Sequence, residues 1–157
     1  MIAEIAVAAL WGLAVAGIGA WLTELSSWYY ALRKPGWQPP DWLFGPAWSV
    51  ILALASLSAF LGWRSAEGSE SRNLIAALFL ANGVLNILWS PLFFKLRRPD
   101  WALIEVPFLW LSILAPIIVL APISTFASLL LVPYLAWVSF AAVLNLTIVR
   151  LNQPFAG

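Results

Sequence analysis

The residues best suited to chemistry lie between Trp28 and Trp48, where WYYALRKPGWQPPDWLFGPAW carries four Trp, two Tyr and four Pro in twenty-one positions. Indole and phenol rings each offer a large flat apolar face with a polar edge. The prolines fix φ in advance and lower the cost of ordering the segment. This composition predicts a rigid lid over a flat, mostly apolar ligand. Two further rows carry polar groups at helical spacing. Asn82, Asn86, Trp89 and Phe93 fall at i, i+4, i+7 and i+11, and Pro133, Trp137, Ala141 and Asn145 form a second row with Tyr134 one step round. Amides in hydrocarbon are costly without partners. They serve either as hydrogen-bonding glue between helices or as anchors in a cavity beneath the lid, with Asn86 as the polar anchor and Trp48, Trp89 and Trp137 as walls.

The residue types that are missing narrow the chemistry further. Histidine and cysteine are absent and the single methionine is Met1, which removes the commonest general base, thiol chemistry and the usual haem ligands. No metal-binding set and no conventional acid–base machinery emerge. Glu105 lies five residues into an apolar stretch, near enough to its end to be solvated or paired with Arg97 or Arg98. The other candidate carboxylates, Glu4 and Glu24, lie near opposite ends of the first stretch, so no relay of ionisable groups crosses the chain. A net charge of +1 provides no field for nucleic acid.

The elements that must position these residues are membrane helices. At 157 residues, with 63% apolar and 10% charged residues and a mean hydropathy of +0.92, the chain is far from soluble globular usage. It reads as a single all-α polytopic membrane domain over 1–157. Runs long enough to cross a bilayer appear at approximately 3–25, 43–63, 73–94, 101–121 and 123–149. The N-terminus lacks a basic segment before its apolar run, so the first span is expected to be retained rather than cleaved. Five spans put the two ends on opposite sides. The 26–42 loop, the 95–100 loop and the tail hold Arg33, Lys34, Lys95, Arg97, Arg98 and Arg150, against Arg64 and Arg72 on the other side. The positive-inside rule then predicts a cytoplasmic lid and C-terminus with the N-terminus outside.

Ala8, Gly12, Ala16 and Ala20 form a small-residue stripe, as do Ala77, Ala81 and nearby Gly83; each fits packing within one bundle or a homodimer face. Pro46, Pro91, Pro107, Pro116 and Pro133 predict bent rather than straight helices. Trp21, Trp63 and Trp101 fit an interfacial aromatic belt, whereas Trp37 and Trp42 flank Pro39 and Pro40, a scaffold that a belt does not need. Arg33 and Lys34 fit lipid headgroups and topology better than ligand carboxylates.

The chain resembles the TspO/MBR family of tryptophan-rich sensory and translocator proteins over nearly its whole length. The loop fits the family pattern of WY, then L-x-KP-x-W-x-PP-x-W and a further W, and NGVLNILWSPLFF at 82–94 and VPYLAWVSFAAVLN at 132–145 follow in order. The resemblance implies a five-helix bundle, usually dimeric, that binds porphyrins, other tetrapyrroles, sterols or synthetic ligands under its first loop. On the matching positions, the implied ligand contacts are Tyr29, Trp37, Pro39, Pro40, Trp42, Phe44, Trp48, Asn86, Ser90, Trp137 and Ala141. Some members degrade porphyrin in light, which points to Trp37, Trp42 and Trp137 as photochemical residues. The stretch VLNLTIVRLN has no Tyr before Arg150, so it departs from the family's sterol motif.

The expected function is therefore that of a multi-pass protein of a bacterial cell membrane, in contact with lipid, acting as sensor, scavenger or carrier for a tetrapyrrole or other flat hydrophobic molecule. Metal-free porphyrin, such as protoporphyrin IX, or a linear tetrapyrrole suits the missing His and Cys; haem would need stacking or an oxygen from Tyr29, Tyr30 or Tyr134. The alternatives are a light- and oxygen-dependent porphyrin-degrading enzyme and a passive transporter, the latter lacking an evident inverted repeat.

Overall fold

The computed structural model describes residues 1–155. It contains α1 (Ile2–Leu22), the short lid helix α2 (Ser27–Ala31), α3 (Asp41–Ser65), α4 (Gly68–Ser90), α5 (Pro99–Leu120), a single turn α6 (Thr125–Leu129) and α7 (Val132–Asn152). Five helical segments among the described residues are long and apolar enough to cross a membrane, with α6 and α7 together forming the fifth. The bundle closes on itself: α1 packs against α3 and α4, α4 against α5, α5 against α7, and α7 against α3.

Proline sets the local departures from straight helix. Pro91 follows α4 directly, and the next turn, Pro91–Lys95, is wound as a π-helix. Leu96 N–H donates to the Pro91 carbonyl at 2.9 Å, and Arg98 N–H to the Leu92 carbonyl at 3.0 Å. The wider turn carries Phe93 and Phe94 into the interior, where both are buried. The fifth span, read as 123–149 with a bend expected at Pro133, is interrupted at Leu130–Leu131, just before Pro133 in the first turn of α7. Proline has no N–H to continue the ladder of α6. Ser58 and Ser128 tie α6 down, donating to the Ala127 and Ile117 carbonyls at 2.6 and 2.7 Å.

The bundle is solid at one end and hollow at the other. Ala55, Ile75, Phe79, Ile113, Leu120 and Leu131 fill the end farther from the lid. Glycine permits close approach there. A Cβ on Gly12 would collide with the Ser56 hydroxyl of α3, and one on Gly83 would lie 2.7 Å from Trp11 Nε1. Trp11 uses that space to donate to the Phe79 carbonyl at 3.0 Å. Gly12 and Gly83 thus serve packing inside the bundle.

Glu105 departs from its sequence reading. It is only 6% exposed, neither carboxyl oxygen has a hydrogen-bond partner, and Arg98 instead binds Asp100, with Nε donating to Oδ1 at 2.8 Å. The reason is helical phase: Asp100 stands two residues from Arg98, while Glu105 turns toward Leu85, Leu88 and Leu92. An unsatisfied buried polar group costs about 1–3 kcal/mol. Glu105→Met should therefore raise the thermal unfolding midpoint of the detergent-solubilised protein, and a lowered midpoint would show that the carboxyl is a structural asset.

Candidate ligand-binding site

Aromatic side chains surround a cavity of about 440 Å³ in the hollow end, bordered by all five spanning helices and the lid. One side of α3 supplies Asp41, Phe44, Gly45, Trp48, Ser49 and Leu52, spaced three or four residues apart from turn to turn. From α4 and its π turn come Asn86, Trp89, Ser90, Phe93 and Phe94, and from α7 Trp137, Val138, Ala141, Leu144, Asn145 and Ile148. Ala20, Thr23 and Leu25 at the end of α1, with Gly45 and Ser49, remain exposed and mark where the cavity opens.

The walls are built from rings set mostly edge-to-face, an arrangement that holds each ring at a fixed angle. Trp48 stands edge-on to Tyr134 and Trp137 with centroids 5.9 and 6.5 Å apart. Phe44 meets Trp137 edge-on at 5.8 Å. Trp89 instead stacks on Phe93 at 4.9 Å and 25°.

Behind these rings the amides are partnered. Asn86 donates to Tyr134 Oη at 2.7 Å, Tyr134 donates to Asn82 Oδ1 at 3.1 Å, and Asn82 donates to Ser112 Oγ at 2.9 Å. Asn145, with its amide oriented by its partners, donates to the Pro99 carbonyl and accepts from Leu103 N–H, both at 3.1 Å. Asn82 therefore joins helices, and Asn86 and Asn145 both join helices and border the cavity. Of the α7 row, Trp137, Ala141 and Asn145 border the cavity with Tyr134 buried beside them, while Pro133 faces outward.

The lid is tied at several points. Tyr29 donates to Asp41 Oδ1 at 2.6 Å and accepts from Gln38 Nε2 at 3.3 Å. Burial, and then the neighbouring Asp41 carboxylate, push the Tyr29 phenol above the ordinary tyrosine range. The neutral phenol is thus the form that the lid stabilises, so its contribution is complete below the ordinary tyrosine pKa and is lost as pH rises above it. Tyr29→Phe should lower lid protection in hydrogen exchange at neutral pH; unchanged protection would mean that the Asp41 bond does not hold the lid. Lys34 Nζ donates to the Tyr29 carbonyl at 2.7 Å and lies 4.2 Å over the Tyr29 ring. At the far end of the chain, Asn152 accepts from Arg33 N–H and donates to the Arg33 carbonyl, both at 2.8 Å. This two-way clasp fastens the lid to the end of α7.

Of the site residues taken from sequence, Tyr29, Phe44, Trp48, Asn86, Ser90, Trp137 and Ala141 come together around the cavity. Trp37, Pro39, Pro40 and Trp42 do not border it. Trp37 is 50% exposed and rests edge-on against Phe140 at 5.9 Å, and Trp42 is 71% exposed. Pro39 and Pro40 lead into α3, whose first residue, Asp41, takes the inward position and leaves Trp42 off the inward side. Trp137 alone of the three candidate photochemical tryptophans faces the cavity. Trp21 and Trp101 lie exposed under Lys95 and Arg98, with the cationic groups 4.9 and 4.4 Å from the ring centres. Sequence reasoning missed Gln38, Asp41 and Thr23. The three- and four-residue spacing from Asp41 to Phe44, Gly45 and Trp48 was the available signal for Asp41.

Five helices long and apolar enough to cross a membrane, gathered around a lidded and mostly apolar cavity, define an integral multi-pass membrane protein. The chain belongs to the TspO/MBR family, whose model matches residues 5–151. It is 42% identical over 146 residues to the tryptophan-rich protein TspO of Chlorobaculum tepidum, covering 89% of this chain and 90% of that one. It is 38% identical to the Archaeoglobus fulgidus protein of the same name, covering 89% and 91%. The human translocator protein is 32% identical, covering 83% of this chain and 78% of its own.

Proposed function

We propose that this protein binds a tetrapyrrole, metal-free porphyrin or a linear relative, in the cavity beneath its lid, and acts as a sensor, scavenger or carrier of that molecule. The observation that carries the reading is the wall of Phe44, Trp48, Trp89, Phe93 and Trp137 around one apolar space, because flat rings stack on a flat conjugated guest over a large area. The described bordering side chains are mostly apolar, and the one carboxylate among them, Asp41, is engaged by the Tyr29 hydroxyl, a lining suited to holding an apolar guest. Dark titration of the purified protein with protoporphyrin IX tests the reading. Saturable quenching of tryptophan fluorescence at one equivalent per chain supports it, and quenching no greater than that of free tryptophan in the same detergent contradicts it.

Light-driven, oxygen-dependent porphyrin degradation is the second reading, and Trp137 at the cavity wall is the observation that favours it. A bound ring held in one orientation gives a single regioisomer of opened or oxidised product. A product mixture equal to that formed in detergent alone assigns the photochemistry to the guest.

The proposal includes a bacterial cell membrane, with the lid and the end of α7 in the cytoplasm and the N-terminus outside. A reporter active only in the cytoplasm should be active when fused after Gly157, which lies outside the described residues, and silent when fused at Met1. The reverse pattern overturns the orientation. A homodimer belongs to the same proposal and must use a face other than the one that Gly12 turns toward α3.

A further inference from the structure

The cavity is apolar but not electrically neutral. Among the described residues that border it, Asp41 is the only carboxylate and there is no Lys or Arg. Its Oδ1 is held by the Tyr29 hydroxyl, and no ion pair joins Asp41 to a cation among the described residues. Lys34 is occupied by the Tyr29 carbonyl and ring. Gln38 stands beside this pair. Because its Nε2 donates to the Tyr29 hydroxyl, its amide orientation is set, and the buried Oε1 is left without a donor. The lid end of the cavity therefore presents two acceptors, one of them charged. On α7 the buried Trp137 Nε1 is a donor without an acceptor.

We propose that the cavity selects flat ligands carrying a hydrogen-bond donor or a positive charge at the lid end and a neutral acceptor facing Trp137, and that Asp41 excludes ligands that bring a carboxylate to the lid. A like charge beside Asp41 would be repelled in a medium that screens poorly, whereas a cation or N–H gains from the same field. The inference deepens the tetrapyrrole reading: the favoured guest is a tetrapyrrole whose side-chain carboxyls are esterified, amidated or absent. For a free acid, the carboxylates must point out through the gap between α1 and α3, away from Asp41.

Two pyrene derivatives test the charge preference without a tetrapyrrole. In neutral detergent at neutral pH, 1-pyrenemethylamine is a cation and 1-pyrenecarboxylate an anion on the same flat ring, and energy transfer from the pocket tryptophans reports binding of either. The wild-type protein should bind the amine at least about tenfold more tightly than the carboxylate. Asp41→Asn, whose amide oxygen still accepts from Tyr29, should bring the two affinities together, and Asp41→Glu should preserve the preference. Equal affinities in the wild-type protein, or a preference that survives Asp41→Asn, overturns the inference. The same comparison with protoporphyrin IX and its dimethyl ester should favour the ester, with the gap shrinking in Asp41→Asn. A cavity that discriminates between the pyrenes while neither porphyrin binds leaves the charge selection standing and removes the tetrapyrrole reading.

Discussion

Trp137→Ala is expected to weaken protoporphyrin IX binding by about tenfold or more. Stacking of a flat base on an aromatic side chain is worth about 1–3 kcal/mol, and a porphyrin offers a larger face than a base. Trp137 is also the keystone of the wall. It meets Phe44, Trp48 and Phe140 with ring centroids 5.8, 6.5 and 5.5 Å apart, so its removal loosens three rings along with its own face. Trp48→Ala should behave similarly, since Trp48 borders the cavity and braces Tyr134. Trp63, near the end of α3 remote from the lid and absent from the cavity lining, provides the control. Fluorescence titration of the three variants checks the prediction; equal losses at all three sites would indicate general damage to the bundle.

Asn152→Ala should speed ligand release by about tenfold while leaving the spanning helices intact. Its side chain makes both bonds of the clasp to the Arg33 backbone, across 119 residues of sequence. Each such bond contributes about 0.5–1.5 kcal/mol, so losing both makes an open lid roughly tenfold to a hundredfold more populated. Replacing Pro39 and Pro40 together with Ala should act in the same direction by a different route, raising the entropy that the lid must lose on closing. Stopped-flow dissociation, with helical content followed by circular dichroism, separates gating from unfolding. Release rates equal to wild type in both variants would mean that the lid does not gate the cavity.

The spans were legible in the sequence because hydrocarbon thickness dictates the length of an apolar run, and the boundaries read from the sequence fall within a few residues of those observed. The faces of α4 and α7 were legible because helical period aligns Asn86 with Trp89 and Trp137 with Ala141. The lid was legible as a lid, but not in its orientation. Trp37 and Trp42 have the same composition signal as Trp48, and only the start of α3 at Asp41 decides which of them turns inward. The bonds that position the lid were hidden for a different reason. The Asn152 clasp engages backbone atoms of Arg33, which leave no mark on residue type. Glu105 was misread because nearby arginines looked like partners, whereas Asp100 captures Arg98 within two residues.

The central claim, that a tetrapyrrole occupies the cavity under the lid, is tested most directly by determining the structure of the protein with protoporphyrin IX bound. The account predicts a single macrocycle lying against Trp48 and Trp137, with Asn86 at its edge, its carboxylates turned away from Asp41 and the Arg33–Asn152 clasp closed over it. A macrocycle resting on the lipid-facing surface, with the cavity occupied by detergent or lipid, would contradict the account.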